Sequence, residues 1–241
     1  MKLTGITLHS IKYGESSLIV YLYTQQQGRQ TYMLHGARKP AARQKAALIQ
    51  PLFVLDMEIY PPRKNAGMGI IKELKSALPL VQLAGNVQKT AMALFISEVL
   101  YRFIKEEEVN AHLYDFLEQQ ILHLNNIESG IANFHLFFLA QLARHLGFLP
   151  GNDYDSKRHC FFDIRTGCFV DAAPAHLQYM EKSTSSLLWQ LLQCQIDDLQ
   201  HITLNQDQRN TLLRGLLEYY SFHLGMQNPI RSQAVLHEVF S

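Results

Sequence analysis

The chain has 241 residues and a mass of 27.7 kDa, room for one large domain or two modest ones. Hydrophobic residues make up 47% and charged residues 18%, which supports a sizeable core and excludes a disordered chain. The net charge of +1 conceals an asymmetry: residues 1–80 hold 11 Lys+Arg against 4 Asp+Glu, and residues 81–241 hold 11 against 17, so +7 and −6 share one polypeptide. A basic segment beside an acidic remainder attracts polyanions, and nucleic acid is the first partner it suggests.

Through residue 76, short strand-like runs alternate with polar or glycine-containing breaks. Five runs are predicted, at 4–11, 17–24, 29–35, 52–60 and 68–75. Five strands in about 75 residues, with one long connection between the third and fourth, suit a small closed barrel of the OB type, with an SH3-like barrel as the alternative. Beyond residue 80 the apolar period becomes helical. Met92, Phe95, Val99 and Phe103 share a face behind an Asn86 N-cap; Leu113, Phe116, Leu117, Ile121 and Leu124 form a second stripe. Ile131, Phe134, Phe138, Leu142 and Leu146 form a third, stopping at Gly147. Further helices are predicted at 183–197, at 205–223 with Asn205 and Gln208 as a capping box, and at 232–240. The fold class expected is therefore α+β: an N-terminal five-stranded barrel over 1–80 followed by an all-α domain over 81–241, with a short irregular insertion at 151–173.

The stretch from His35 to Lys45 carries four cations in eight residues, Arg38, Lys39, Arg43 and Lys45, and no acidic residue occurs from Ser16 to Leu55. Such a loop can lie along a phosphate backbone, each cation releasing counterions. Lys12, Arg29, Arg63 and Lys64 extend the basic set. Tyr13, Tyr21, Tyr23 and Tyr32 lie on or beside the strands, where exposed rings could stack on unpaired bases or pack inward instead; Tyr13, at a turn beside Lys12 and Gly14, is the preferred stacking candidate.

Cys160, Cys168 and Cys194 are odd in number and absent from the first 159 residues, which argues against a disulfide framework and fits a reducing cytoplasm. Paired Cys-x2-Cys ligands are missing, so no structural metal is expected. The N-terminus has no uninterrupted apolar run and no membrane span is expected. No phosphate-binding Gly-rich loop, nucleophile elbow or His-Glu-x-x-His is present. The basic segment has only Glu15, Asp56, Glu58 and Glu73 as carboxylates, too few for metal-dependent cleavage there. The expectation is a protein without catalytic residues or cofactor.

The N-terminal segment resembles the RecO family of bacterial recombination mediators. The resemblance is carried by Gly5-Ile6-Thr7-Leu8, Tyr13-Gly14-Glu15-Ser16, the strand ending at Thr24 with Gly28 beyond it, Gly36-Ala37-Arg38-Lys39, and the run from Ala46 to Leu52. It implies an OB-fold joined to a helical domain, binding of single- and double-stranded DNA, annealing of complementary strands, and cooperation with RecR to load RecA onto SSB-coated DNA, without nucleotide hydrolysis. It also implies docking of the acidic SSB tail on the helical domain, where Arg102, Arg144 and Arg214 are the cations beside apolar stripes and Arg144 is the one chosen. Many members carry a four-cysteine zinc module, whereas this chain offers only Cys160 and Cys168 there; a metal-free hairpin held by Phe161, Phe162 and Phe169 is expected in its place. The alternative to a DNA-binding mediator is a protein-bridging adaptor whose basic barrel binds an acidic peptide.

Overall fold

In a computed structural model, residues 1–39, 43–61, 68–105, 107–225 and 229–240 are described. Arg63 and Lys64 lie outside the described residues, as do Pro40, Ala41 and Ala42 and the side chain of Arg43.

The predicted strands form a closed barrel. β1 (Lys2–Tyr13), β2 (Ser17–Thr24), β3 (Gly28–Leu34), β4 (Val54–Tyr60) and β5 (Gly69–Ser76) are ordered β1-β2-β3-β5-β4, with β4 returning to β1. All pairings are antiparallel except β3 with β5, where Tyr32 and Met33 face Gly69 and Ile70. This is the connectivity expected of an OB-type barrel. β1 exceeds its predicted run at both ends because it serves two neighbours: Lys2 to Ile6 pair with β4, and Gly5 to Tyr13 pair with β2. A bulge between Thr7 and His9 bends it from one partner to the other. At that bend Leu52 donates its amide to Thr7 O (2.8 Å) and Thr7 donates to Phe53 O (2.9 Å). Leu52 has φ 63°, so the fourth strand begins at Val54, two residues later than predicted.

A short helix, α1 (Arg43–Ala47), interrupts the connection from β3 to β4. After the barrel come α2 (Val81–Gly85), α3 (Val87–Phe103) and α4 (Ala111–Asn126). Asn86 caps α3 as predicted, its Oδ1 accepting from Lys89 N at 3.1 Å. α2 has no counterpart among the predicted helices; five residues are too short to show a helical period. Contacts group Met1–Asn126 with Ile230–Leu236 as one unit, in which α3 packs on β1. Ile127–Pro229 and His237–Ser241 form the other.

The second unit contains α5 (Phe134–His145), α6 (Lys182–Gln193) and α7 (Gln206–Leu224), mutually packed, and a small sheet of β6 (Phe161–Asp163), β7 (Cys168–Val170) and β8 (Tyr179–Met180). The Asn205 and Gln208 capping box is present, and Gly147 and Gly225 take the left-handed conformation beyond α5 and α7. The helix predicted at 183–197 ends at Gln193, because Gln195 and Asp198 form a second capping box that starts a separate 3-10 turn, Ile196–His201. A last helix, α8 (Gln233–Val239), closes the chain. Among the described residues no helix is long and apolar enough to cross a membrane.

The insertion is the hairpin β6–β7 with β8 added on the far side of β6. Phe162 and Phe169 meet at 5.1 Å between ring centres and are buried, while Phe161 is half-buried against Tyr179. The Ser185 hydroxyl of α6 accepts from Phe162 N (2.8 Å) and donates to Met180 O (2.9 Å), tying the sheet to the helices. Cys168 faces Asp163, whereas Cys160 bonds Val170 at the other end of the hairpin. Three residues of extended strand, about 10 Å, separate the two positions.

Two interactions in the first unit have measurable consequences. Gly28 opens β3 with φ 62°, and a Cβ there would lie 2.3 Å from Glu108 O and 2.9 Å from the Glu107 carbonyl, both backbone atoms. Gly28→Ala therefore combines left-handed strain with a clash that no rotamer relieves, and should destabilise the chain by about 3 kcal/mol or more in urea unfolding. Glu98 of α3 accepts from Arg231 N (3.1 Å), Ser232 N (2.8 Å) and the Ser232 hydroxyl (2.6 Å), and lies 3.6 Å from Arg102. Burial pushes its carboxyl up, but the Ser232 and Arg231 donors and the Arg102 charge outweigh this, and the net shift is downward. A depressed carboxyl contributes stability that is complete above its unfolded pKa and lost as pH falls through the folded value. Glu98→Gln should therefore be less stable than the parent near neutral pH by roughly 1–3 kcal/mol, with the gap closing in melts taken below pH 4.5.

Candidate nucleic-acid interface

The basic loop begins with a tight turn. Gly36 has φ 65°, which glycine adopts freely, and Lys39 donates its amide back to Gly36 O at 3.0 Å. Ala37, one residue on, is buried and anchors the turn to the barrel. Arg38 then donates its amide to Ser16 O (2.9 Å) and its guanidinium Nη1 to Gly14 O (3.4 Å). Those acceptors belong to the turn joining β1 and β2, which Gly14 makes possible with φ 55°. His35 Nδ1 and the Ser17 hydroxyl, 3.3 Å apart, add a third tie. Lys12, Tyr13, Arg38 and Lys39 are thus brought to one end of the barrel, all exposed.

The other sequence-selected residues lie elsewhere. Lys45, in the middle of α1, reaches Lys72 O of β5 at 3.5 Å. Lys72 is itself bonded to Glu58 at 3.1 Å, and Lys75 lies 3.6 Å from Asp56, so this flank of the barrel carries partly neutralised charge. The hydrogen bond from Lys72 to Glu58 holds the Lys72 ammonium above its ordinary pKa. Arg29 is half-buried: Nη1 donates to Tyr101 O (2.8 Å) and to Ile104 O, and its guanidinium lies 4.7 Å from the Tyr101 ring centre. Its charge joins β3 to the end of α3. Arg144 is exposed in the last turn of α5.

The four tyrosines differ in what covers them. Tyr13 is 52% exposed. Tyr32, paired with Val20, is 2% exposed, and Tyr23, on the opposite face with Tyr21, is 1% exposed because the Tyr114 ring of α4 covers it at 6.5 Å between centres. Stacking on bases by Tyr23 and Tyr32 is therefore corrected to packing. Tyr32 donates its hydroxyl to Gln27 Oε1 (3.0 Å), and burial pushes its pKa up to about 12. Tyr21 is half-buried with His9, Tyr101 and Arg29.

That aromatic and cationic cluster escapes a reading of the sequence, since His9, Tyr21, Arg29 and Tyr101 come from four elements and share no local spacing. A partial signal exists in the Tyr101-Arg102 pair at the end of an apolar stripe. Among the described residues no group of three or more His, Cys, Asp and Glu side chains is placed to hold a metal ion. The division of the tyrosines is testable by thermal melts. Tyr13→Ala should leave stability within about 0.5 kcal/mol of the parent, whereas Tyr32→Ala should lose about 3 kcal/mol or more.

Comparison with known proteins gives this arrangement a context. Residues 1–79 match the family described as Recombination protein O N terminal, and residues 85–233 match Recombination protein O C terminal. The chain is 34% identical over 241 residues to the DNA repair protein RecO of Phocaeicola vulgatus, covering 100% of this chain and 99% of that one. It is 35% identical over 241 residues to the DNA repair protein RecO of Bacteroides fragilis, covering 99% and 98%. Its identity to the DNA repair protein RecO of Christiangramia forsetii is 37% over 239 residues, covering 98% and 97%. Sequence matches over both parts of the chain and the closed five-stranded barrel agree, and the chain belongs to the RecO family of DNA repair proteins.

Proposed function

We propose that this protein is a cytoplasmic, non-enzymatic DNA repair mediator that binds single- and double-stranded DNA through the end of its barrel and anneals complementary strands. The observation that carries the reading is the docking of the Gly36 to Lys39 turn on the β1–β2 turn through Arg38, which gathers Lys12, Tyr13, Arg38 and Lys39 on one exposed end. Cations on a turn held by backbone hydrogen bonds can track a phosphate backbone while the base edges stay free to pair, which is what annealing needs. Arg43 and Lys45 follow on the same connection, and Arg63 and Lys64 belong to the same basic segment. Arg29 has a supporting part, since its donors already serve α3.

Membership of the family supports the remaining roles: action with RecR to place RecA on SSB-coated DNA, and capture of the SSB tail on the helical part. Arg144 is the proposed cation for that tail. It is exposed close in sequence to Leu149, an exposed apolar residue, and an acidic peptide with an apolar end needs such a pairing.

The test is fluorescence anisotropy with labelled single-stranded and duplex DNA across a salt series. Replacing Arg38, Lys39, Arg43 and Lys45 together by Ala should weaken binding and reduce the magnitude of the log–log salt slope on single strands by roughly 3. A folded variant with unchanged affinity and slope would refute the clamp. Absence of DNA binding by the parent chain even at low salt, with binding of an acidic peptide, would favour a bridging adaptor.

A further inference from the structure

A cleft of about 490 Å³ opens in the first unit between β1, α3 and the stretch 231–235 that leads into α8. Its size is that of small-ligand sites. Its lining includes the apolar side chains of Ile49, Pro51, Leu94 and Val235. It also includes His9, exposed, with its ring resting on Tyr101 at 4.6 Å between centres. Arg102 and Arg231 complete the lining.

The charge in this cleft is not balanced by the fold. Glu98 is the carboxylate of the lining, and its oxygens are already engaged by Ser232, Arg231 N and Arg102. The Arg231 side chain makes no ion pair among the described residues. Outside the lining, Arg29 and Lys105 add two more cations, 4.7 and 5.5 Å from the Tyr101 ring centre. Burial first, then Arg29 and Arg102, push the Lys105 pKa down.

Apolar side chains beside a supported aromatic ring accept a flat, weakly polar object; a rim of arginines that share a single carboxylate accepts an anion attached to it. A nucleotide has both parts. A duplex keeps its bases stacked inside and offers the cleft only its backbone, so the fit selects an unpaired base. We propose that this cleft is a second nucleic-acid site, distinct from the basic end of the barrel, which takes one unpaired nucleotide of a single strand, with the base on His9 and the apolar side chains of the lining and its phosphate on Arg102 and Arg231.

Burial, and then the Arg102 charge, lower the His9 pKa, so the imidazole facing the base is neutral at physiological pH. The site would let the protein hold a single strand more tightly than its backbone charge alone provides. The inference rests on the nucleic-acid reading above, and the experiment separates the two.

Anisotropy is measured for the full chain and two variants on a labelled oligothymidylate and on a duplex of equal length, at one salt concentration. Val235→Trp adds a ring at a position that is 40% exposed, filling the cleft without removing a core side chain. Arg231→Glu reverses the rim charge while keeping the backbone amide that Glu98 holds. Each variant should lose at least about fivefold in affinity for the single strand and keep its duplex affinity within about twofold. Unchanged melting by circular dichroism establishes that both are folded. Equal losses on both DNA forms, or no loss on the single strand, would overturn the site while leaving the barrel clamp standing. Binding of an acidic peptide that Val235→Trp abolishes, with single-strand affinity untouched, would overturn it in favour of a peptide. If the parent chain binds neither DNA form, the proposed function falls and this site with it.

Discussion

The barrel depends on one strand serving two neighbours. β1 pairs with β4 through Lys2 to Ile6 and with β2 through Gly5 to Tyr13, and it can do both only by bending at the bulge between Thr7 and His9. That bend sets the positions of several distant groups. It draws Leu52 into a positive φ to bond Thr7, places His9 beside α3, and carries the far end of β1 out to the turn at Gly14. The basic loop after β3 then docks on that turn through Arg38. A straight β1 would keep its pairs with β2 but lose closure against β4, and the loop's cations would have no fixed neighbours.

The basic residues of the first unit divide into those that serve the fold and those that do not. Arg29 spans from β3 to the carbonyls of Tyr101 and Ile104, and Lys72 and Lys75 face Glu58 and Asp56. Lys12 near the end of β1 and Arg38 and Lys39 in the turn after β3 are exposed, with one guanidinium bond from Arg38 among them. A charge already hydrogen-bonded inside the fold has less to offer a ligand, because binding would have to replace those bonds. The +7 of the first 80 residues therefore overstates the charge available to a polyanion.

The second unit is held by aromatic packing and buried hydroxyls. Phe148 meets Tyr219 and Tyr220 edge-on and lies parallel to His223, while Tyr219 also touches Phe162 of the small sheet. Tyr220 donates to Leu139 O, and burial raises its pKa well above the ordinary value. Ser185 bridges β6 and β8 from α6. These contacts give the short hairpin a core of its own: strands of two and three residues are too short to persist unaided, and the rings of Phe162 and Phe169 supply the burial they lack.

Much of this architecture obeys local rules readable along the chain. Alternation of apolar and polar residues locates all five barrel strands, and the caps at Asn86 and Asn205 and the stops at Gly147 and Gly225 locate helix ends, because each depends on residues within a few positions of one another. The cluster of cations from Arg38 to Lys45 is equally visible as composition. Tertiary structure alone decided which tyrosine rings face solvent, that Arg29 is drawn to α3, that Cys160 and Cys168 lie at opposite ends of a hairpin, and that His9, Tyr101, Arg102 and Arg231 line one cleft. The reason is one of range. Secondary structure and charge density are set by near neighbours, whereas a binding site is set by side chains as far apart in sequence as His9 and Arg231, which only strand register and helix packing bring together.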